Sequence, residues 1–272
     1  MSQVLRSDAH CGTVALVTGG GTGIGRAVAL ELARCGADVA IAGRRSEPLA
    51  KTAAEIEALG VRALAVPTDV REDDQVRRLT DRTLERFGRI DTLVNNAGGQ
   101  FSAPAEQITA SGWRAVHRVT VDAAWTVTRE VAVRAMIPRR SGSIFFIAFS
   151  PRRGIASMVH ASAARAALEN LAAGLSLEWS RFGIRTVCIA PGTITTEGME
   201  RNYSPDDRAT WEAAVPLRRF GTPEEVSEVI AFLASPSGSY VTGTTVVVDG
   251  GADAWGAGHP APELATATSE RN

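Results

Sequence analysis

Short apolar runs without polar alternation recur along the chain, and most are followed by a longer stretch whose apolar positions lie three and four apart. Val14-Ala15-Leu16-Val17 opens the series, with a helical stretch over 24–34 behind it. Val39-Ala40-Ile41-Ala42 precedes a predicted helix over 48–59, and Arg62-Ala63-Leu64-Ala65-Val66 precedes one over about 73–87. Asp91-Thr92-Leu93-Val94 is the next strand, and the apolar period over 105–136 predicts two helical pieces or one bent helix. A strand over 143–147, a helix over 161–181 and a strand over 185–189 continue the alternation. Thr222-Pro223 is a cap followed by proline at the first helical position, which starts a helix over 224–234. Thr244-Thr245-Val246-Val247-Val248 is the last strand. Strands buried on both faces read as continuous apolar runs, so this alternation predicts a parallel sheet covered on both sides by helices.

No break in composition marks a second domain, and 272 residues suffice for one large α/β domain with a substantial core. The domain is expected over 12–251, with 1–11 and the Ala/Pro/Thr-rich 252–272 as flexible tails. A net charge of −1 argues against a nucleic-acid or anionic-membrane partner. No apolar stretch is long enough to span a bilayer and the first residues lack a signal-peptide core, so a cytoplasmic protein acting on a small molecule is expected. Cys11, Cys35 and Cys188 show no CxxC or metal spacing and read as small core residues. No metal site is expected.

The chemistry gathers at the carboxyl ends of the predicted strands, where ligands of open α/β sheets bind. Thr18-Gly19-Gly20-Gly21-Thr22-Gly23-Ile24-Gly25 links the first strand to the first helix. Glycines there let the backbone approach a pyrophosphate, and the helix N-terminus offers partial positive charge. Asp69-Val70 follows the third strand, Asn95-Asn96-Ala97-Gly98 the fourth, and Pro191-Gly192-Thr193-Ile194-Thr195-Thr196 the sixth. At the end of the second strand, where an acid would accept hydrogen bonds from the ribose of NAD, the chain has Gly43-Arg44-Arg45. Two guanidinium groups suit a 2′-phosphate, so NADP(H) is the expected cofactor. The corresponding contacts are assigned to Gly19, Thr22, Gly23, Ile24, Gly25, Arg44, Arg45, Asp69, Val70, Asn96, Ala97, Gly98, Pro191, Gly192, Ile194 and Thr196.

Together these motifs resemble the short-chain dehydrogenase/reductase family, with TGxxxGxG, NNAG and PGxIxT in the same order over about 12–251. The resemblance implies a single-domain, doubly wound Rossmann fold with a mostly parallel seven-stranded sheet. It also implies a catalytic tyrosine, a lysine four residues later, a serine and an asparagine. Arg165-Ala166-Ala167-Leu168-Glu169-Asn170-Leu171 resembles the family's K-A-A-L-E-N-L and places Arg165 at the lysine and Ala161 at the tyrosine. The serine position falls on Phe149 or Ala148, and the asparagine position on Thr120. All four are changed. Ala161 cannot donate a proton, and Arg165 stays protonated at working pH, so it can hold the nicotinamide ribose but hardly act as an acid.

Several segments are similar to the 2,4-dienoyl-CoA reductase branch, among them Asn95-Asn96-Ala97-Gly98-Gly99-Gln100-Phe101 and Ile194-Thr195-Thr196-Glu197-Gly198. That branch has a tyrosine just after the fifth strand, where this chain has Ser150, and its asparagine falls near Asp122. The catalytic candidates are therefore Ser150, Arg165, Asp122 and His160, although a histidine on a helix start also reads as a surface residue. Arg152-Arg153 is either an anion-binding pair or a solvated loop pair, and Tyr203 is a remote alternative acid. The leading expectation is an NADP(H)-dependent oxidoreductase with a degenerate tetrad, reducing an activated alkene such as an enoyl thioester or enone. A lyase, isomerase or cyclase on the same fold, or a non-catalytic NADP(H)-binding subunit, stays open. The segment 244–251 resembles the strand through which family members assemble, which implies a homo-oligomer, a dimer or tetramer.

Overall fold

The computed structural model describes residues 5–150, 152, 154–197, 199 and 204–255. Seven strands form one sheet: β1 Val14–Thr18, β2 Asp38–Gly43, β3 Ala63–Pro67, β4 Thr92–Asn95, β5 Gly142–Ile147, β6 Ile184–Pro191 and β7 Thr245–Val248. Their order is β3-β2-β1-β4-β5-β6-β7, and every pairing is parallel. The chain winds outward from β1 to β3 and returns to β4 beside β1. That reversal opens a crevice at the carboxyl ends of β1 and β4.

Helices cover both faces. The principal ones are α1 Gly23–Arg34, α2 Ser46–Glu57, α3 Asp73–Phe87, α4 Ala110–His117, α5 Ala123–Val131, α6 Ile137–Arg139, α7 Val159–Trp179, α8 Pro205–Ala214, α9 Pro223–Ala234 and α10 Ala252–Trp255. Alternation along a strand sends consecutive side chains to opposite faces. Phe146 accordingly packs with residues of α3, α5 and α7, whereas its neighbour Phe145 packs with residues of α1, α2 and α9. Both are fully buried, and each such ring contributes about 1.5–3 kcal/mol over leaving it in water.

The stretch over 105–136 is one nearly continuous helical rod from Ala110 onward, with π-helical turns at Arg118–Asp122 and Ala132–Met136. Those turns absorb the phase change that the sequence pattern leaves ambiguous. Thr222 forms a full capping box with Glu225, with Pro223 at the first helical position. Helix α8 has no counterpart in the sequence pattern.

Two expectations need correction. Residues 5–11 are anchored at two points, although Arg6, Ser7 and Asp8 are exposed: Leu5 lies against the core, and buried His10 places Nε2 3.0 Å from the Ala231 carbonyl oxygen. Cys11 is exposed, so only Cys35 and Cys188 are buried core cysteines. At the other end 252–255 is helical and anchored, while the rest of the expected tail lies outside the described residues. No described helix is long and apolar enough to cross a membrane.

Candidate active site

A cleft of about 430 Å³ lies at the β1–β4 crevice. Its walls carry Gly19 and Thr22 from the glycine-rich turn, Arg44 and Arg45 after β2, Asp69 and Val70 after β3, and Ala97 and Gly98 after β4. These predicted contacts, distant in sequence, meet in one place. The turn itself needs glycine: Gly19 has φ +67°, and a Cβ on Gly25 would collide with the Gly19 carbonyl and the Asn96 amide. Thr22 is the N-cap of α1 with no side-chain cap bond, which leaves first-turn amides available to an anion.

Asn96 also holds the cleft together. Its Nδ2 donates to the Thr18 carbonyl at 3.0 Å, and its backbone N–H and that of Ala97 both donate to Thr18 Oγ1 at 3.0 Å. These bonds tie the turn after β4 to the turn after β1 and set the shape of the cleft floor. Ile24 packs into the core beneath. Pro191 ends β6, and Gly192 just after it donates its N–H to the Val248 carbonyl. Ile194 is buried, and Thr196 stands 3.5 Å from where a Cβ on Gly23 would be, so this loop closes against the glycine-rich turn.

One cleft residue carries no signal in the motif reading. Arg71 lines the cleft with Arg44 and Arg45 and donates to the Asp69 carboxylate from its backbone N–H, Nε and Nη2, with an ion-pair distance of 2.5 Å. Those bonds hold the Asp69 carboxyl down to about 2. The Arg immediately after Asp69-Val70 was the available clue.

At the other end of the cleft the polar machinery thins out. Ala161 is buried with Val116 and Ala164, and Val121, Phe149 and Met158 pack around them. Apolar side chains thus fill the surroundings of the tyrosine position. Arg165, one turn further along α7, donates to the Ile147 carbonyl oxygen and stacks 5.6 Å from the Phe149 ring. Burial lowers its pKa to about 10, which still leaves it charged at neutral pH. Its Nη2 would lie 2.7 Å from a Cβ on Gly98, so the guanidinium reaches the cleft. No carboxylate among the described residues forms a salt bridge with it.

The other catalytic candidates are placed less simply. Ser150 is buried, but its hydroxyl donates to Asp249 Oδ2, and its N–H donates to the Pro191 carbonyl at 2.7 Å. It belongs to a tie between the β5 and β7 ends, because Asp249 also accepts from the N–H groups of Gly251 and Asp253. Asp122 is exposed on the π-helical turn. Thr120, two residues earlier, is the one buried there, and its Oγ1 has no partner among the described residues. His160 is fully buried, against the surface expectation, and packs on the tilted Phe101 ring with centroids 4.2 Å apart. Arg152 does not wait for an anionic ligand: Asp253 and Glu169 already hold it. Arg153 and Tyr203 lie outside the described residues. No cluster of metal ligands occurs among the described residues.

Known proteins share this fold. The family model described as enoyl-(acyl carrier protein) reductase matches residues 19–253. The peroxisomal 2,4-dienoyl-CoA reductase of Danio rerio is 37% identical over 243 residues, covering 88% of this chain and 81% of that protein. The chain belongs to the short-chain dehydrogenase/reductase family. Gluconate 5-dehydrogenase of Gluconobacter oxydans is 36% identical over 245 residues, with 88% of this chain and 94% of that protein covered. Among solved structures, a short-chain dehydrogenase from Burkholderia cenocepacia in complex with NADP superposes with a TM-score of 0.83 at 33% identity. That match covers 90% of this chain and 99% of the other. The membership carries the oxidoreductase class with it.

Proposed function

We propose that the protein is an NADP(H)-dependent oxidoreductase that reduces an activated alkene, an enoyl thioester or an enone, through a degenerate tetrad. The carrying observation is the pairing of an apolar tyrosine position with a charged guanidinium. Ala161 sits in an apolar cluster, and Arg165 faces the same end of the cleft.

The lining of the cleft supports the phosphorylated cofactor. Backbone amides at the α1 N-terminus would receive a pyrophosphate, and Arg44 and Arg45 would offer paired donors to a 2′-phosphate. Arg165 would hold the nicotinamide ribose, for which a guanidinium can supply two donors. The bound cofactor would supply hydride. A simple ketone that accepts hydride becomes a localised alkoxide and needs an acid beside the oxygen. A conjugated alkene becomes a delocalised enolate, whose carbon can be protonated by water or a weak acid. This chain's residues meet the second demand more easily. Arg165 supplies positive charge near the reacting end, and the surrounding apolar residues strengthen its field by excluding water.

The relatives named for 2,4-dienoyl-CoA reduction support the alkene reading. The NADP complex of the Burkholderia cenocepacia structural neighbour supports the cofactor. Homo-oligomer formation belongs to the same proposal, since β7 is the last strand of the sheet and only partly buried along its whole length. NADPH oxidation measured with an enoyl-CoA, a dienoyl-CoA, an enone and a plain ketone tests the reading. Turnover of the conjugated substrates well above the ketone is expected. Failure with all conjugated substrates, or a preference for the ketone, would overturn it.

A further inference from the structure

A buried imidazole with neither nitrogen bonded is unusual, because an unmade hydrogen bond in the interior costs roughly 1–3 kcal/mol. His160 is such a residue: it is fully buried, and both Nδ1 and Nε2 lack a partner among the described residues. A neutral imidazole has one N–H donor and one acceptor, so each nitrogen has a bond to give.

What covers the ring is the second observation. Phe101 lies over it at a centroid distance of 4.2 Å and a tilt of 46°, and Phe101 is also a wall of the cleft. The imidazole is therefore one ring thickness behind the cleft surface. Phe101 belongs to the segment after β4, which has no regular structure until residue 105, and 41% of its surface is exposed. Besides His160 the ring edge lies against Gly112 of α4, where an added Cβ would stand 3.0 Å from Cζ, and its outer surface is open to solvent, so it has room to turn aside. Val116, on the same cleft wall, packs against Ala161 next to His160. The pocket behind Phe101 thus adjoins the tyrosine position.

We propose that His160 is the hydrogen-bond donor that receives the substrate's carbonyl oxygen, reached when Phe101 turns out of the cleft wall. The ligand class is a conjugated carbonyl compound, and this role rests on the alkene-reductase reading above. Burial, with a smaller contribution from His117, lowers the imidazole pKa from its usual value, so the ring donates as the neutral form at pH 7. It donates a hydrogen bond and not a proton; the enolate carbon takes its proton from water. The Ala161 change then makes sense: the oxygen once served by a phenol at that position is served from the preceding residue.

The test compares wild type, His160→Leu and His160→Gln in the full chain by thermal unfolding and by turnover of an enone, 4-phenyl-3-buten-2-one, with NADPH. Leu removes two unpaired polar atoms, so its Tm should rise. Loss of a preorganised donor should cut turnover by about 10²–10³-fold. Gln keeps a donor and should retain a larger share of the activity. NADP(H) affinity should be unchanged in both. A lower Tm for His160→Leu would show that the imidazole already has a structural partner and would overturn the proposal, as would unchanged turnover. If the wild type turns over no conjugated carbonyl, the functional reading fails by itself. The imidazole claim is then read from titration of the same enone in the presence of NADP+, and equal affinity for wild type and His160→Leu overturns it.

Discussion

Arg165 and Gly98 share a boundary so close that a single methyl group would cross it: a Cβ on Gly98 would stand 2.7 Å from Nη2. The guanidinium is the flexible end of a long side chain, so it would give way before the backbone does. Gly98→Ala should therefore cost little stability but displace the charge from the cleft. A drop in NADP(H) affinity with a small change in Tm is expected. Arg165→Ala should weaken the cofactor similarly, and the double variant should be no worse than either single change, because both remove the same contact. Measured affinities that simply add would show the two residues act separately.

Cofactor preference should follow the arginines after β2. Arg44→Ala removes charge-assisted hydrogen bonds and should cost about 1.5–3 kcal/mol of NADPH binding with little effect on NADH. Fluorescence titration of both cofactors against wild type and variant checks this; equal affinities in the wild type would end the claim.

Acid stability should depend on the Asp69–Arg71 pair. The folded-state pKa of Asp69, about 2, lies below its ordinary value of 3.8. A depressed carboxylate pKa adds stability that is present above about pH 4 and is lost as pH falls through 2. Arg71→Ala should flatten the stability change between pH 4 and pH 2, as followed by urea unfolding at each pH. A curve parallel to the wild type would show that the pair contributes nothing.

Carbonyl reduction should be poor and partly recoverable. General acid catalysis contributes roughly 10²–10⁴-fold, and Ala161 removes its usual source. Plain ketones should be reduced slower than conjugated substrates by about that range, and Ala161→Tyr with Arg165→Lys should raise ketone turnover. No gain in the double variant would mean that the apolar packing of Phe149 and Val116 excludes the new ring.

The capping box offers a check on the scaffold alone. Thr222→Ala removes the bond to the Glu225 N–H and should cost about 1 kcal/mol without touching the cleft. An unchanged Tm would show the cap is dispensable.

How far the sequence carries depends on the range of the interaction. Strand runs and the Thr222-Pro223 signal are local, and they place the sheet and helix starts to within a few residues. The motif side of the cleft was legible because those residues follow strand ends, whose position in a doubly wound sheet is fixed, whereas the Ala115, Val116 and Val119 wall comes from the helical rod and had no such marker. The partner of Ser150 was not, because Asp249 is 99 residues away and no local pattern connects them. His160 was misread for a similar reason. Whether a helix-start side chain is covered depends on where the loop with Phe101 lies, and helical period says nothing about that loop. Helix α8 shows only a weak apolar stripe, so periodicity had little to detect.

The tie built on Asp249 also bears on when the site can form. Asp249 holds Ser150 and the N–H groups of Gly251 and Asp253, and Asp253 in turn grips Arg152 in the loop after β5. That loop leads directly into α7, which carries His160, Ala161 and Arg165. During synthesis the loop emerges about a hundred residues before Asp249 and Asp253, with only Glu169 of α7 close behind it to hold Arg152. A nascent chain can assemble β1 to β5 and the cofactor cleft's floor early, but the substrate end lacks its two C-terminal ties until β7 has joined the sheet.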